Sequence, residues 1–260
     1  MIDYTFNLYN LEYFLCILMR ITAFIYVAPI FSQRALSTQF KIALAMFMSG
    51  LIYGVIGPHE ALVYSTVYGY ALIIMKEALT GLLIGFSASI CNTIADFAGR
   101  IIDMETGLSM VNLIDPATNQ MGSVSGVIYQ YGIMLMLLIT GMHRYFIQAL
   151  AETFNLIPVN GAILDTERLL SSLLTFLKDY ITIGFRICLP VFAVMLLLNT
   201  ILGIMARVAP QMNMFSVGMQ LKVLVGLCVL FLTIGMLPSV SGFIFSEMKT
   251  LMTTFVNTMI

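Results

Sequence analysis

Apolar runs of bilayer length recur along this chain, and no other feature constrains its fold so tightly. Residues 8–31, 42–56, 127–142, 180–206 and 223–246 are almost wholly apolar, apart from isolated charges. A further run begins at 61 and meets no proline or strong turn signal until beyond Arg100. About 20 apolar residues suffice to cross the hydrocarbon of a bilayer. Only 10% of the residues are charged, against roughly 25% in a soluble domain. The chain therefore reads as an all-α integral membrane protein of long, kinked helical hairpins. A formal net charge of −1 leaves no electrostatic footprint for nucleic acid. The first 19 residues hold Asp3 and Glu12 but no Lys or Arg, so the basic region of a cleavable signal peptide is missing.

Within the runs, single residues set the detail. Arg20 lies mid-run, about 18 Å from either end at 1.5 Å per residue, too deep for easy snorkelling. It therefore faces protein or water inside an assembly, as a subunit-interface charge, or its helix is not centred in the bilayer. Glu12, eight residues away, is too far to pair with it inside the helix. The run from 61 is interrupted only by Lys76 and Glu77, and two readings stay open. One is a single helix of about 60 Å, twice the hydrocarbon thickness; the other is a tight hairpin at those two residues. Three Gly-xxx-Gly spacings occur, Gly50/Gly54, Gly81/Gly85 and Gly122/Gly126, and the first two permit close helix–helix approach. Residues 165–170 open a helix with an acidic first turn. Pro190 predicts a kink in the run it occupies, and Pro238 a break. The basic loops around Arg34/Lys41 and Arg207/Lys222 go to the cytoplasm by the positive-inside rule, and the acidic central loop to the other side.

Candidate chemistry is sparse. Cys16, Cys91, Cys188 and Cys228 lie in apolar runs without C-x-x-C spacing and read as small hydrophobes. With two histidines, a His/Cys metal site is not expected. No cofactor fingerprint, nucleophile elbow or phosphate loop occurs, so no enzyme is expected. Twenty methionines serve either as lipid-embedded filler or as an adaptable surface that reseals around changing contents.

The longest polar interruption is residues 96–126, with four of thirteen carboxylates and four glycines. Asp96, Arg100 and Asp103 share one helix face, Asp96 standing four residues before Arg100 in the favourable order. They read as a stem of ion-paired residues or as a carboxylate pair for proton relay. Residues 107–122 follow. Gly107, Leu108, Met110, Val111, Leu113 and Ile114 make the first half too apolar for a solvated connector. Asp115 and Pro116 form a turn, flanked by Asn112, Asn119 and Gln120, and Met121 and Gly122 close the segment. Its apolar half packs either in a lumen or groove, or on the protein's own helices. A second polar island, 207–222, combines Pro210, Gln211 and Asn213 with four nearby methionines, Met205, Met212, Met214 and Met219. Irregular backbone of this kind is tolerated at membrane depth where it lines a cavity or is covered by protein.

Here the chain resembles the FliR/SctT family of export-gate subunits. The resemblance rests on Asn199, Gly203 and Arg207, spaced by four, then Val-Ala-Pro210-Gln211-Met-Asn213-Met-Phe215, then Gly218 and Lys222. Arg20, Pro29, Lys41, Asp103, Gly107, Asp115 and Pro116 support it. The resemblance covers essentially the whole chain, and it implies a FliP-like part over 1–178 joined to a FliQ-like helical hairpin over 179–260. It further implies residence in the bacterial inner membrane, in the flagellar basal body. The implied partners are FliP-like, FliQ-like and FlhB-like subunits and unfolded export substrates, with residues 107–122 as a plug in a closed gate. No cofactor is implied. The flagellar form is favoured over the injectisome form. A secondary transporter and a plain structural anchor are the readings from other classes. The first lacks an inverted repeat with matching broken helices.

Overall fold

The computed structural model of the chain describes residues 8–33, 36–56, 62, 64, 66–110, 113–114, 121–163, 165–209, 211 and 214–260. Eight α-helices form among them: α1 (Leu8–Val27), α2 (Thr38–Ile56), α3 (Val67–Thr106), α4 (Val124–Ile139), α5 (Met142–Leu156), α6 (Thr166–Val208), α7 (Met214–Ile234) and α8 (Leu237–Thr258). One antiparallel pair of two-residue strands, β1 (Leu113–Ile114) and β2 (Met121–Gly122), lies in the central loop. The fold is all-α, as the apolar runs predict.

Among the described residues, five helices are long and apolar enough to cross a membrane. A sixth span results if α4 and α5, joined at a short break, count as one. Of the two readings of the run from 61, the single helix holds. α3 runs unbroken through Lys76 and Glu77 for 40 residues, both good helix formers, and is about 60 Å long. α6 is longer still, at 43 residues, and holds Pro190 in its interior without interruption. Each is about twice the thickness of the hydrocarbon, so neither can be a simple perpendicular span. Pro238 sits at the second position of α8, where its missing N–H costs nothing, and the break falls just before it.

The chain divides into two compact units. The first comprises residues 1–89, 141–176 and 247–260, the second 90–140 and 177–246. The first buries Cys16, Ile17, Ile21 and Phe24 of α1, Ile84 and Ala88 of α3, Phe146 and Leu150 of α5, and Met248 and Phe255 of α8. The α1 residues repeat at helical spacing and so form one stripe. Gly81 lets α1 and α3 meet backbone to backbone, since a Cβ there would strike the carbonyl of Arg20. Gly50 and Gly54, in contrast, face open space. The second unit buries Ile94, Ala98 and Ile102 of α3, Tyr129 and Ile133 of α4, and Val191 and Met195 of α6. There the Tyr129 hydroxyl shares a 2.8 Å hydrogen bond with Thr233 of α7.

Candidate functional site

The central loop leaves and re-enters the fold through two adjoining helix ends. α3 stops at Thr106, and Gly107 takes a φ of 83°, a left-handed conformation that ends helices and suits glycine. A single 3₁₀ turn follows, Leu108–Met110, with Leu108 buried. β1 then pairs with β2, Leu113 opposite Gly122 and Ile114 opposite Met121. Ser123 caps α4, its hydroxyl accepting from the N–H of Gly126 at 2.8 Å. A Cβ on Gly99 of α3 would collide with the backbone of Gly126, so the two helices touch along their backbones. Val111, Asn112, Asp115, Pro116, Asn119 and Gln120 lie outside the described residues.

The stem divides into two parts. Arg100 pairs with Asp96 at 2.7 Å, with their side chains 57% and 37% exposed; an exposed pair of this kind contributes about 1 kcal/mol at most. Asp103 stands apart from that pair. It is 2% exposed, and its Oδ1 accepts from the Ser125 N–H at 3.1 Å and the Ser125 hydroxyl at 2.5 Å. Its Oδ2 is buried and has no partner among the described residues. Sequence reasoning did not reach Ser125; the serine-cap signal ahead of the run from 127 points to Ser123 instead.

Arg20 is fully buried by its own chain. Its Nε donates to Glu77 of α3 at 2.6 Å, and Glu77 is equally buried. Nη1 donates to the carbonyls of Ile157 at 2.9 Å and Thr153 at 3.4 Å at the end of α5, the latter also accepting from the Ile157 N–H, and Nη2 is buried without a partner among the described residues. The guanidinium lies 4.3 Å from the ring centre of Phe154. The other Glu77 oxygen accepts from the N–H of Asn160 at 2.9 Å, a residue with φ of 68°. The residue sequence reasoning missed is therefore Glu77, which ties α1 and α3 to the connector after α5. Lys41 is buried as well, donating to the Ser32 carbonyl at 3.0 Å.

The family-like motif runs off the end of α6. Asn199, Gly203 and Arg207 follow one another at helical spacing; Asn199 is half-buried and the other two exposed. Around them Leu197, Ile201, Ile204 and Val208 are 53% to 79% exposed, and a Cβ on Gly203 would meet nothing. Gln211 is exposed, Gly218 is buried and Lys222 half-buried in α7, and Phe215 lies in the first turn of α7. Pro210 and Asn213 lie outside the described residues. So large an exposed apolar surface, ending in a cation, marks a face that lipid or another chain covers. Among the described residues, no three His, Cys, Asp or Glu side chains cluster as metal ligands would.

Comparison with known proteins bears on the whole chain. The model of a family described as bacterial export proteins, family 1, matches residues 11–248. The chain is 28% identical over 243 residues to the flagellar biosynthetic protein FliR of Escherichia coli K12, covering 92% of this chain and 91% of that protein. It is 31% identical over 222 residues to the FliR of Aquifex aeolicus, covering 83% and 82%. The surface presentation of antigens protein SpaR of Shigella flexneri is 25% identical over 217 residues, covering 83% and 82%.

Proposed function

Because the chain belongs to the bacterial export proteins, family 1, we propose that it is a non-enzymatic subunit of the flagellar type III export gate. It sits in the bacterial inner membrane and assembles with FliP-like and FliQ-like subunits, with an FlhB-like subunit alongside. Unfolded flagellar proteins are the cargo, and the loop 107–122 plugs the closed channel. The observation that carries this reading is the exposed end of α6. There Asn199, Gly203 and Arg207 stand among apolar side chains that the chain itself leaves uncovered. Such a surface suits packing between subunits and supports reading 199–222 as a contact with neighbours in the gate. In the same reading the FliP-like part spans 1–178 and the FliQ-like hairpin 179–260, with α6 continuous across the join. We favour the flagellar form over the injectisome form because the relatives at 28% and 31% identity are flagellar biosynthetic proteins.

Two experiments test the reading. Affinity purification of the chain from native membrane yields FliP-like and FliQ-like chains in stable complex; a solitary monomer would overturn it. Removal of residues 107–122 lets small molecules leak through cells while the complex still assembles. A tight membrane in that variant removes the plug from the proposal and leaves the subunit assignment standing.

A further inference from the structure

One side chain fastens the two helix ends from which the central loop emerges. Asp103, in the last turns of α3, places Oδ1 against both the N–H and the hydroxyl of Ser125, in the first turn of α4. Both bonds run to a charged acceptor, the stronger class of hydrogen bond, and the carboxylate faces the positive end of the α4 dipole. The contact between Gly99 and Gly126 already brings the helices together, but a contact between two glycines fixes neither their rotation nor their slide. A pair of directional bonds to one oxygen does fix both, because N–H and hydroxyl reach it together in only one register.

The cost of the arrangement supports a positional role. Oδ2 is buried without a partner among the described residues, and a half-satisfied buried carboxylate is expensive. Simple adhesion of α3 to α4 would be better served by an apolar side chain, as at neighbouring Ile102, which is 1% exposed. Buried charge retained at a cost is best understood as setting a register. We infer that Asp103 is the positioning residue of the loop: its bonds to Ser125 hold the exit and return of residues 107–122 at one fixed spacing and orientation. The consequence for leakage rests on the plug reading above.

The test uses the full chain in its native-membrane complex, with the deletion of 107–122 as reference. Asp103→Ala and Ser125→Ala are each expected to raise small-molecule leakage at unchanged complex yield. The double variant should leak no more than Asp103→Ala, because that change already removes both bonds, including the one that Ser125→Ala breaks. Asp103→Asn, which keeps an accepting oxygen, should recover part of the seal. A second readout is independent of the plug. Amide exchange at residues 121–126 should quicken about tenfold or more in Asp103→Ala, the factor for losing a hydrogen bond to a charged group. Tight membranes in both single variants beside a leaking deletion would overturn the inference. If the deletion itself is tight, the plug reading falls and exchange decides, unchanged protection of 121–126 counting against Asp103. If Asp103→Ala does not accumulate, Ser125→Ala, which removes a single hydroxyl, carries both measurements.

Discussion

An arginine in an apolar helix is tolerable only when its charge and its donors are met. Arg20 meets the first through Glu77 and part of the second through the carbonyls of Thr153 and Ile157, while its Nη2 is buried without a partner among the described residues. Removing one partner of a buried pair strands the other, so Arg20→Ala is expected to destabilise the fold by about 3–5 kcal/mol. The joint replacement Arg20→Met with Glu77→Leu should cost far less, and thermal unfolding in detergent separates the two cases. A gentler pair lies nearby, where the Tyr64 hydroxyl donates to Glu12 at 2.6 Å. That bond to a carboxylate holds the phenol above its ordinary value of 10. A raised value means the contribution is complete below about pH 10 and is lost as pH rises through the folded value. The late-titrating part of the phenolate absorbance at 295 nm should therefore shrink by one tyrosine in Tyr64→Phe. At this scale the sequence was only half legible. The depth of Arg20 announced that a partner was needed, but Glu77 lies 57 residues further on, and nothing local points to it. Asp103 looked like a rung beside Arg100, and only the fold brings Ser125, 22 residues away, within reach.

At the scale of the elements, apolar runs mark helices well and their ends less well. α1 falls inside its run, whereas α2, α4 and α7 each begin ahead of theirs, α7 at Met214 for a run read from 223. The length of α3 was undecided because Lys76 and Glu77 break hydropathy but not helix propensity; backbone hydrogen bonding follows propensity there. Pro238 was expected to break its run, and the break between α7 and α8 falls there, with the proline in the first turn of α8, where it is welcome. The same logic applies to α4, whose first turn depends on Ser123. Ser123→Ala is expected to cost about 1 kcal/mol, and Ser123→Asp, which keeps a capping oxygen, much less. A shift in melting temperature, or in exchange at residues 124–127, measures it. Ser123 also shows why sequence spacing misleads: Gly122/Gly126 resembles a packing motif, yet the glycine that meets Gly126 is Gly99.

At the scale of the molecule, the loop and the motif at 199–222 are the two features that composition alone marked as unusual. The structure describes the base of the first and most of the second. The exposed end of α6 is a surface that needs a cover. In the proposed complex a neighbour covers it, which makes a direct prediction. A cysteine placed at Ile204, 59% exposed in the chain, reacts readily with a maleimide when the chain is produced alone. In the assembled complex the same thiol should be protected. Equal reactivity in the two preparations would leave that face to lipid and remove it from the subunit contacts.

The pairing of Arg20 also orders events during synthesis. α1 leaves the ribosome first, and its arginine has no counter-charge until Glu77 follows 57 residues later. The carbonyls of Thr153 and Ile157 come 133 and 137 residues behind. On insertion scales an arginine at the centre of a helix costs roughly 2.5–3.5 kcal/mol, so α1 has reason to linger at the translocon until α3 arrives. In insertion, then, α1 alone carries an unpaired arginine, and α3 supplies the counter-charge.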